Sequence, residues 1–189
     1  GNNNPSSDWD IQTHFLSSNE LYDLATPNFF TETISKFTVT GGGNSVLLWT
    51  GKTLATTGLT NQAELYTPVM PGTSQTWEPA ASMIAARTNT LWFLLGDGRA
   101  LMVGGLDSAG NPLASAEVYD YLTGNFTSTA GSMSTPRHQH HGAMLYTEKA
   151  LVTGGRPSAS ANVLNSAELF DPLSGTFTAT GNMLRYRRL

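Results

Sequence analysis

The sequence predicts an all-β fold built from repeated four-stranded antiparallel sheets, and three observations support this prediction. Blocks of sequence recur after about 50 residues, short apolar runs are separated by turn residues, and only 13% of the residues are charged. A typical globular protein has about 25% charged residues. Threonine, serine, asparagine and glycine take their place here, a mixture that favours short strands and many turns over helices.

The repeat is visible in several independent blocks. Three methionines lie 50 residues apart, and each is followed four positions later by an arginine. A glycine pair that ends an apolar strand, and an Ala-Glu-Val-Tyr-Asp segment after it, return in the same order one period later. Blocks that recur in one order indicate a repeat architecture. The repeated residues are Met83, Met133 and Met183; Arg87, Arg137 and Arg187; Gly104, Gly105, Gly154 and Gly155; and Glu64, Glu117 and Glu168.

Each unit contains four predicted strands. The turn Gly96-Asp97-Gly98 is a strong hairpin signal, because these residues tolerate positive φ angles. The first two strands are almost entirely apolar, as expected when neighbours cover both faces, whereas the last two alternate. Such a unit is typical of the blade of a β-propeller. In the last unit the predicted strands are 141–146, 149–155, 166–171 and 176–180, with turns at 147–148 and 172–175 and a longer loop at 156–165.

The chain holds about three and a half such repeats. Closed propellers usually have 4–8 blades. A partial ring exposes apolar strand faces and open edges. We therefore expect either the remainder of a longer propeller or a homo-oligomer in which another copy closes the ring. The predicted divisions are a polar leader and lead-in strand at 1–18 and propeller repeats at 19–189, with a partial blade at 19–43 and full blades at 44–87, 88–137 and 138–187.

The units resemble the Kelch repeat in its bacterial form. The shared order is Arg, His, apolar strand, Asp-Gly-Arg, apolar strand, Gly-Gly, then Ala-Glu-Leu-Tyr-Asp-Pro and Gly-x-Phe-x-x-Thr-Gly-x-Met, and the resemblance covers residues 19–189. It implies an all-β Kelch propeller with a distant kinship to galactose oxidase-like propellers. Kelch propellers include scaffolds, carbohydrate binders and copper oxidases, so the resemblance is specific for the fold and not for the function.

The longest loops are the first candidates for binding, because loops on a rigid scaffold usually carry recognition. One loop spans 106–114 and includes Asp107 and Asn111, and the other begins at Arg156. Among the tryptophans, Trp92 is expected in the core. Trp77, in the loop-rich stretch 72–78, is expected to be exposed and able to stack on a sugar.

A second group of candidates follows Arg137. His138 and His140 share one face of a strand, which could place two imidazoles on a metal ion or a ligand. No acidic or thiol ligand adjoins them, so we predict no metal site and favour packed or surface histidines. The repeated arginines and glutamates predict buried ion pairs that fix blade register, with an anion site near the propeller axis as the alternative. The glycine pairs end strands and are read as structural.

Composition excludes several classes of function. The net charge of −4 predicts no binding to nucleic acid. The longest apolar run, 91–95, is far below the roughly 20 residues that span a bilayer, so no membrane insertion is expected. The absence of cysteine excludes thiol chemistry. The surface, rich in threonine, serine and asparagine and poor in lysine, favours an extracellular or cell-envelope location.

The expected function is a non-enzymatic recognition or assembly module that binds a protein or a glycan through its blade loops, with no cofactor and no catalytic residue. The alternative is the propeller part of an enzyme like galactose oxidase or glyoxal oxidase. The resemblance implies that such an enzyme needs a cysteine cross-linked to a tyrosine. This sequence has no cysteine, so in that case the catalytic residues lie outside it.

Overall fold

The computed structural model describes residues 18–22, 29–33, 44–68, 76–158 and 160–185, with side chains from residue 44 onwards. This part of the chain contains fourteen strands and no helix, which confirms the all-β prediction. Within it, nothing resembles an apolar helix that could cross a bilayer. The first two strands, β1 (Ser18–Tyr22) and β2 (Phe29–Thr33), form an antiparallel pair in which Tyr22 lies opposite Phe29.

The other twelve strands form three four-stranded antiparallel sheets in which spatial order follows chain order. We call them sheets I, II and III. The predicted four-stranded unit is therefore present three times. Sheet I contains β3 (Ser45–Leu47), β4 (Thr53–Thr56), β5 (Ala63–Thr67) and β6 (Thr76–Pro79); sheet II contains β7 (Leu91–Leu94), β8 (Ala100–Val103), β9 (Ala116–Asp120) and β10 (Asn125–Ser128); sheet III contains β11 (His141–Met144), β12 (Ala150–Thr153), β13 (Ala167–Asp171) and β14 (Thr176–Ala179).

The three sheets are arranged like adjacent propeller blades. Their first strands adjoin, since β7 contacts both β3 and β11. Their faces pack together through two apolar clusters, one between sheets I and II and one between sheets II and III. Side chains of sheet II alternate between them: Met102 and Tyr119 point to sheet I, whereas Leu101 and Val118 point to sheet III. Sheet II is thus covered on both faces, which accounts for its nearly continuous apolar strands.

The antiparallel order gives each sheet two different ends. The tight turns between the first and second strands and between the third and fourth strands lie at one end, which we call the turn end. The longer loops between the second and third strands, and the connections from one sheet to the next, lie at the other, the loop end. Each end therefore collects equivalent segments from all three sheets, and the candidate binding loops share the loop end.

Candidate functional site

A buried ion pair anchors the connection that enters sheet II. Arg87 and Glu117 each have a side chain that is 1% exposed, and Nη2 of Arg87 lies 2.9 Å from Oε1 of Glu117. The guanidinium also donates to the carbonyls of Gly104 and Ser115 at 3.0 and 2.8 Å. Burial lowers the pKa of Arg87, and the charge of Glu117 opposes that shift. The pair is desolvated yet richly hydrogen-bonded, the condition under which a buried ion pair is tolerated.

The equivalent pair in sheet III is Arg137 with Glu168, at 2.9 Å and with side chains 0% and 3% exposed. Nη1 of Arg137 donates to the carbonyls of Gly154 and Ser166, both at 3.0 Å. The backbone of Arg137 is held by sheet II instead: its N–H donates to Leu113 and its carbonyl accepts from Gly105. Arg137 therefore fastens sheet II to sheet III.

Each arginine forms its ion pair with the glutamate of the sheet that follows it in the chain: Arg87 pairs with Glu117, and Arg137 pairs with Glu168. Glu64 holds the same position in β5 and is 4% exposed. Arg187 lies outside the described residues. The role of these residues in fixing blade register stays a prediction, for which the geometry supplies a mechanism: one arginine side chain bonds the end of the second strand and the start of the third strand of its sheet.

Glu117 also holds the connecting backbone. Its carboxylate accepts hydrogen bonds from the N–H groups of Ile84 and Ala85 at 2.7 and 3.0 Å. In sheet III, Glu168 accepts from the N–H and the hydroxyl of Ser134. The side chain of Ile84, by contrast, is 59% exposed. In sheet II the repeat thus fixes the backbone at position 84 and leaves the Ile84 side chain exposed to solvent.

His138 and His140 are packed inside the loop end, 7% and 1% exposed. His138 forms a backbone bridge with Arg156, with N···O distances of 3.1 and 2.9 Å. The His140 ring sits between the glycine pairs: a Cβ on Gly104 would lie 2.9 Å from its Cε1, and one on Gly155 would lie 2.7 Å from its Cβ. Both glycines have positive φ, so these positions need glycine for conformation and for space.

Burial lowers the pKa of His140 to about 4, and the positive charge of Arg137 adds to the shift. The pKa of His138 is also lowered, first by burial and further by Arg156. Neither ring makes a hydrogen bond of normal geometry to a protein atom. The backbone of Val103 opposes the pKa shift of His140, and the backbone of Ser158 opposes that of His138. Four of the predicted binding residues, Arg137, His138, His140 and Arg156, therefore form one mostly buried cluster.

This cluster contains two arginines, of which Arg137 is paired with Glu168, and two imidazoles whose pKa values are lowered. In the described part of the chain no three histidine or acidic side chains come together as metal ligands. Arginine next to both rings also disfavours a cation there. The arrangement is therefore suited to packing the glycine pairs together, and its role in binding stays a prediction.

Asp107 and Asn111 close the loop of sheet II on itself. Oδ1 of Asp107 accepts from the N–H groups of Ala109 and Asn111 at 2.9 and 2.8 Å, and Oδ2 accepts from the Asn111 amide at 3.1 Å. These hydrogen bonds, those of Asn111 first, lower the pKa of Asp107. The Asp107 carboxylate is thus ionised and held in one orientation. The Asn111 amide forms its hydrogen bond within the loop.

Asp107 borders an open groove at the loop end, where sheets I and II meet. The groove has a volume of about 400 Å³. Leu59 and Ile84, 48% and 59% exposed, supply apolar surface. Asp107 supplies a carboxylate at the rim. We call this the junction groove; its lining residues are Leu59, Thr60, Asn61, Ile84, Ala85, Ala86, Asp107 and Ser108.

All three walls of the junction groove are held by hydrogen bonds. Glu117 holds the segment at Ile84, the Asp107 loop is closed as described, and Asn61 donates from its side chain to the carbonyl of Met83 at 2.9 Å. Sequence reasoning identified Asp107 but missed Leu59 and Ile84. One signal was present: the repeat places isoleucine, serine and leucine at positions 84, 134 and 184 between constant residues, a variation typical of a surface position.

The tryptophans differ from expectation in one respect. Trp77, expected in an exposed loop, lies in β6 and is half-buried. Its ring packs on Tyr66, the residue opposite it, with centroids 5.0 Å apart. Tyr119 with Phe126, and Phe170 with Phe177, make the same contact at 4.9 Å. Strand register therefore makes position 77 an aromatic packing position. Trp49, in the first turn of sheet I, is the more exposed ring at 59%.

A scan against protein-family models found no match, and a search of curated protein sequences found none either. Among solved structures, the chain is similar to the structure of YjhT, with a TM-score of 0.63 and 14% sequence identity over 77% of this chain and 52% of that chain. The chain thus spans about half the length of the structure it matches. At this identity the similarity shows the fold alone, and it supports a β-propeller-like arrangement.

Proposed function

We propose that the chain is part of a Kelch-type β-propeller and acts as a non-enzymatic recognition module for a protein or carbohydrate ligand. The order of the repeat blocks, the four-stranded sheets and the adjoining first strands support the Kelch assignment. The number of blades in the complete ring stays a prediction, as does an extracellular or cell-envelope location.

The junction groove is the single observation that carries the recognition function. It combines exposed apolar side chains with a fixed carboxylate, and its walls are held by Glu117 and by the Asp107 loop. A preorganised surface loses little conformational freedom when a ligand binds, so more of the contact energy is available for affinity. Small apolar areas beside a few directed polar groups are typical of recognition sites.

The test is selection of ligands for the full chain from an oligosaccharide array and a random peptide library. Affinities of the selected ligands are then measured for Ile84→Ser, which introduces the residue found at the equivalent position of sheet III. We expect about a tenfold loss of affinity, because an exposed isoleucine covered by a ligand contributes roughly 1.5 kcal/mol or more. The hydrogen bond from residue 84 to Glu117 involves the backbone and is retained.

The matched control is Leu173→Ser. Leu173 is 98% exposed and lies at the turn end, away from the groove. Its replacement should leave affinity unchanged. Selected ligands that bind the Ile84→Ser variant as tightly as the natural chain, or the failure to select any ligand, would contradict the proposal.

A further inference from the structure

The junction groove presents a negative charge that has no cationic partner. Among its eight lining residues, all in the described part of the chain, Asp107 alone is charged. Asp97 and Asp171 lie 2.6 and 2.9 Å from a nitrogen of an arginine and of a lysine side chain, respectively. Within the described residues Asp107 forms hydrogen bonds with its own loop and no ion pair. A cation supplied by a ligand is therefore the partner that this carboxylate favours.

Asp107 also keeps an acceptor position for such a ligand. A carboxylate has about four acceptor positions on its two oxygens. The loop uses two of them on Oδ1, through the N–H groups of Ala109 and Asn111, and one on Oδ2, through the Asn111 side chain. One position on Oδ2 is left, and Asp107 is only partly buried. A lysine or arginine that donates to this oxygen forms a charge-assisted hydrogen bond, which is stronger than a neutral one.

The rest of the groove favours an aliphatic group over a sugar. Oγ1 of Thr60 lies 2.6 Å from Oγ1 of Thr57, and the Asn61 amide donates to a backbone carbonyl, so both polar side chains of this wall already have partners. None of the eight lining residues is aromatic, whereas sugar rings commonly stack on the flat apolar face of an aromatic side chain. The exposed side chains of Leu59 and Ile84 instead offer a contact for an aliphatic side chain.

The equivalent junction between sheets II and III lacks both features. Corresponding backbone bridges begin the two loops, and they place Pro157 at the position of Asp107. Ser134 takes the position of Ile84. The hydrogen bond from the connecting backbone to a buried glutamate is nevertheless present at both junctions. The shared packing of the repeat therefore requires neither the aliphatic side chain nor the carboxylate, and binding accounts for their presence at the junction groove.

We propose that the junction groove binds a peptide segment in which an aliphatic side chain adjoins a lysine or arginine. The aliphatic group packs on Leu59 and Ile84, and the cation pairs with Asp107. The volume of about 400 Å³ is near the lower end of the roughly 300–1,000 Å³ of ligand pockets, which suits a few side chains. The net charge of −4 also favours encounter with a basic partner. The inference rests on the recognition function proposed above and narrows its ligand to a basic peptide.

The test uses the full chain and an array of short peptides with blocked termini. Each peptide has leucine next to arginine, glutamine or glutamate and varied residues elsewhere, and an oligosaccharide array supplies the competing class of ligand. We expect the bound peptides to have arginine next to leucine. In fluorescence anisotropy the best arginine peptide should bind about fivefold more tightly than its glutamine counterpart, which is the upper end of the effect of an exposed charge pair.

Asp107→Asn removes the charge and keeps an oxygen that accepts from the loop backbone. This variant should bind the arginine peptide about fivefold more weakly and leave the affinity for the glutamine peptide unchanged. Asp97→Asn is the matched control, because it changes the net charge by the same amount at the turn end, away from the groove. Its affinities for both peptides should equal those of the natural chain.

Equal affinities of the natural chain for the arginine and glutamine peptides would overturn the basic-peptide assignment, and this comparison does not depend on any variant. Unchanged binding of the arginine peptide to Asp107→Asn would overturn it as well. So would oligosaccharides that bind the natural chain and lose affinity in Ile84→Ser, although recognition at the junction groove would then be supported. If no peptide or oligosaccharide loses affinity in Ile84→Ser, the recognition function fails together with this inference.

Discussion

Sheets II and III share a repeat but differ in their first strands. β7 reads Leu-Trp-Phe-Leu, whereas β11 reads His-Gly-Ala-Met and is mostly exposed. Gly142 in β11 makes room for Phe93 of β7: a Cβ there would lie 2.6 Å from the Phe93 ring and 2.4 Å from the Leu151 carbonyl. Side-chain volume is therefore shared across the contact between sheets, so a large residue in one sheet requires a small one in the next.

The ion pairs of the two sheets differ as well. Nε of Arg87 donates to Glu117 at 3.0 Å, whereas Nε of Arg137 has no hydrogen-bond partner. Arg137 compensates through its backbone, which is bonded to sheet II. The Arg87–Glu117 pair therefore links strands within sheet II. Arg137, paired with Glu168, links strands within sheet III and also connects sheet III to sheet II.

Removal of Arg87 or Arg137 should lower the free energy of unfolding more than any other substitution considered below. Arg87→Ala and Arg137→Ala each leave a buried carboxylate without its cation, which costs about 3–5 kcal/mol. We expect Arg87→Ala to cost more, because Arg87 has the additional Nε bond. Urea unfolding measures both free energies. Lys149→Ala, which removes a partly exposed ion pair with Asp171, should change little. Equal small losses for all three variants would contradict this assignment.

The next largest effect concerns pH and His140. Its folded-state pKa of about 4 lies below the ordinary histidine value of 6.5, so the unfolded chain binds more protons between these values. The stability contributed by neutral His140 is complete above about pH 6.5 and is lost as the pH falls towards 4, by about 3 kcal/mol in total. Urea unfolding at several pH values should show this loss in the natural chain.

His140→Gln, which cannot titrate, should flatten that profile. His138→Gln should remove a smaller part of it. The pKa values of Asp97, Asp107 and Asp171 are lowered from 3.8, so the stability that these carboxylates contribute is lost mainly as the pH falls below that value, at the acid end of the window. An unchanged profile in His140→Gln would show that other groups cause the acid sensitivity.

A smaller loss of stability is expected when the packing between β7 and β11 is disturbed. Gly142→Ala should destabilise the chain by about 1–3 kcal/mol, because the added methyl group meets Phe93 and a backbone carbonyl. Phe93→Leu in the same chain should recover part of the loss, since the two positions are coupled. Gly181→Ala is the control, as a Cβ there meets no heavy atom within 4 Å. Equal stability of Gly142→Ala and the natural chain would contradict this packing.

Much of the fold was predictable because the spacing of apolar and turn residues within each repeat indicates where its strands begin and end. The predicted strand 141–146 is observed as His141–Met144, and 176–180 as Thr176–Ala179. The junction groove was not predictable, because Leu59, Ile84 and Asp107 come from three separate segments. The place of Trp77 was missed for a similar reason, since its contact with Tyr66 depends on cross-strand register.

The four-stranded unit, its turns and the alternation of its faces could be read from the sequence, because they follow from residue periodicity and from glycine at fixed positions. Packing between the sheets, in contrast, sets which glutamate each arginine contacts, which histidines are buried and which repeated apolar positions are covered. Leu101 and Leu151 are the same residue at the same repeat position, yet one is buried and the other partly exposed. The difference comes from the neighbouring sheet, because burial depends on what packs against a residue and not on its identity.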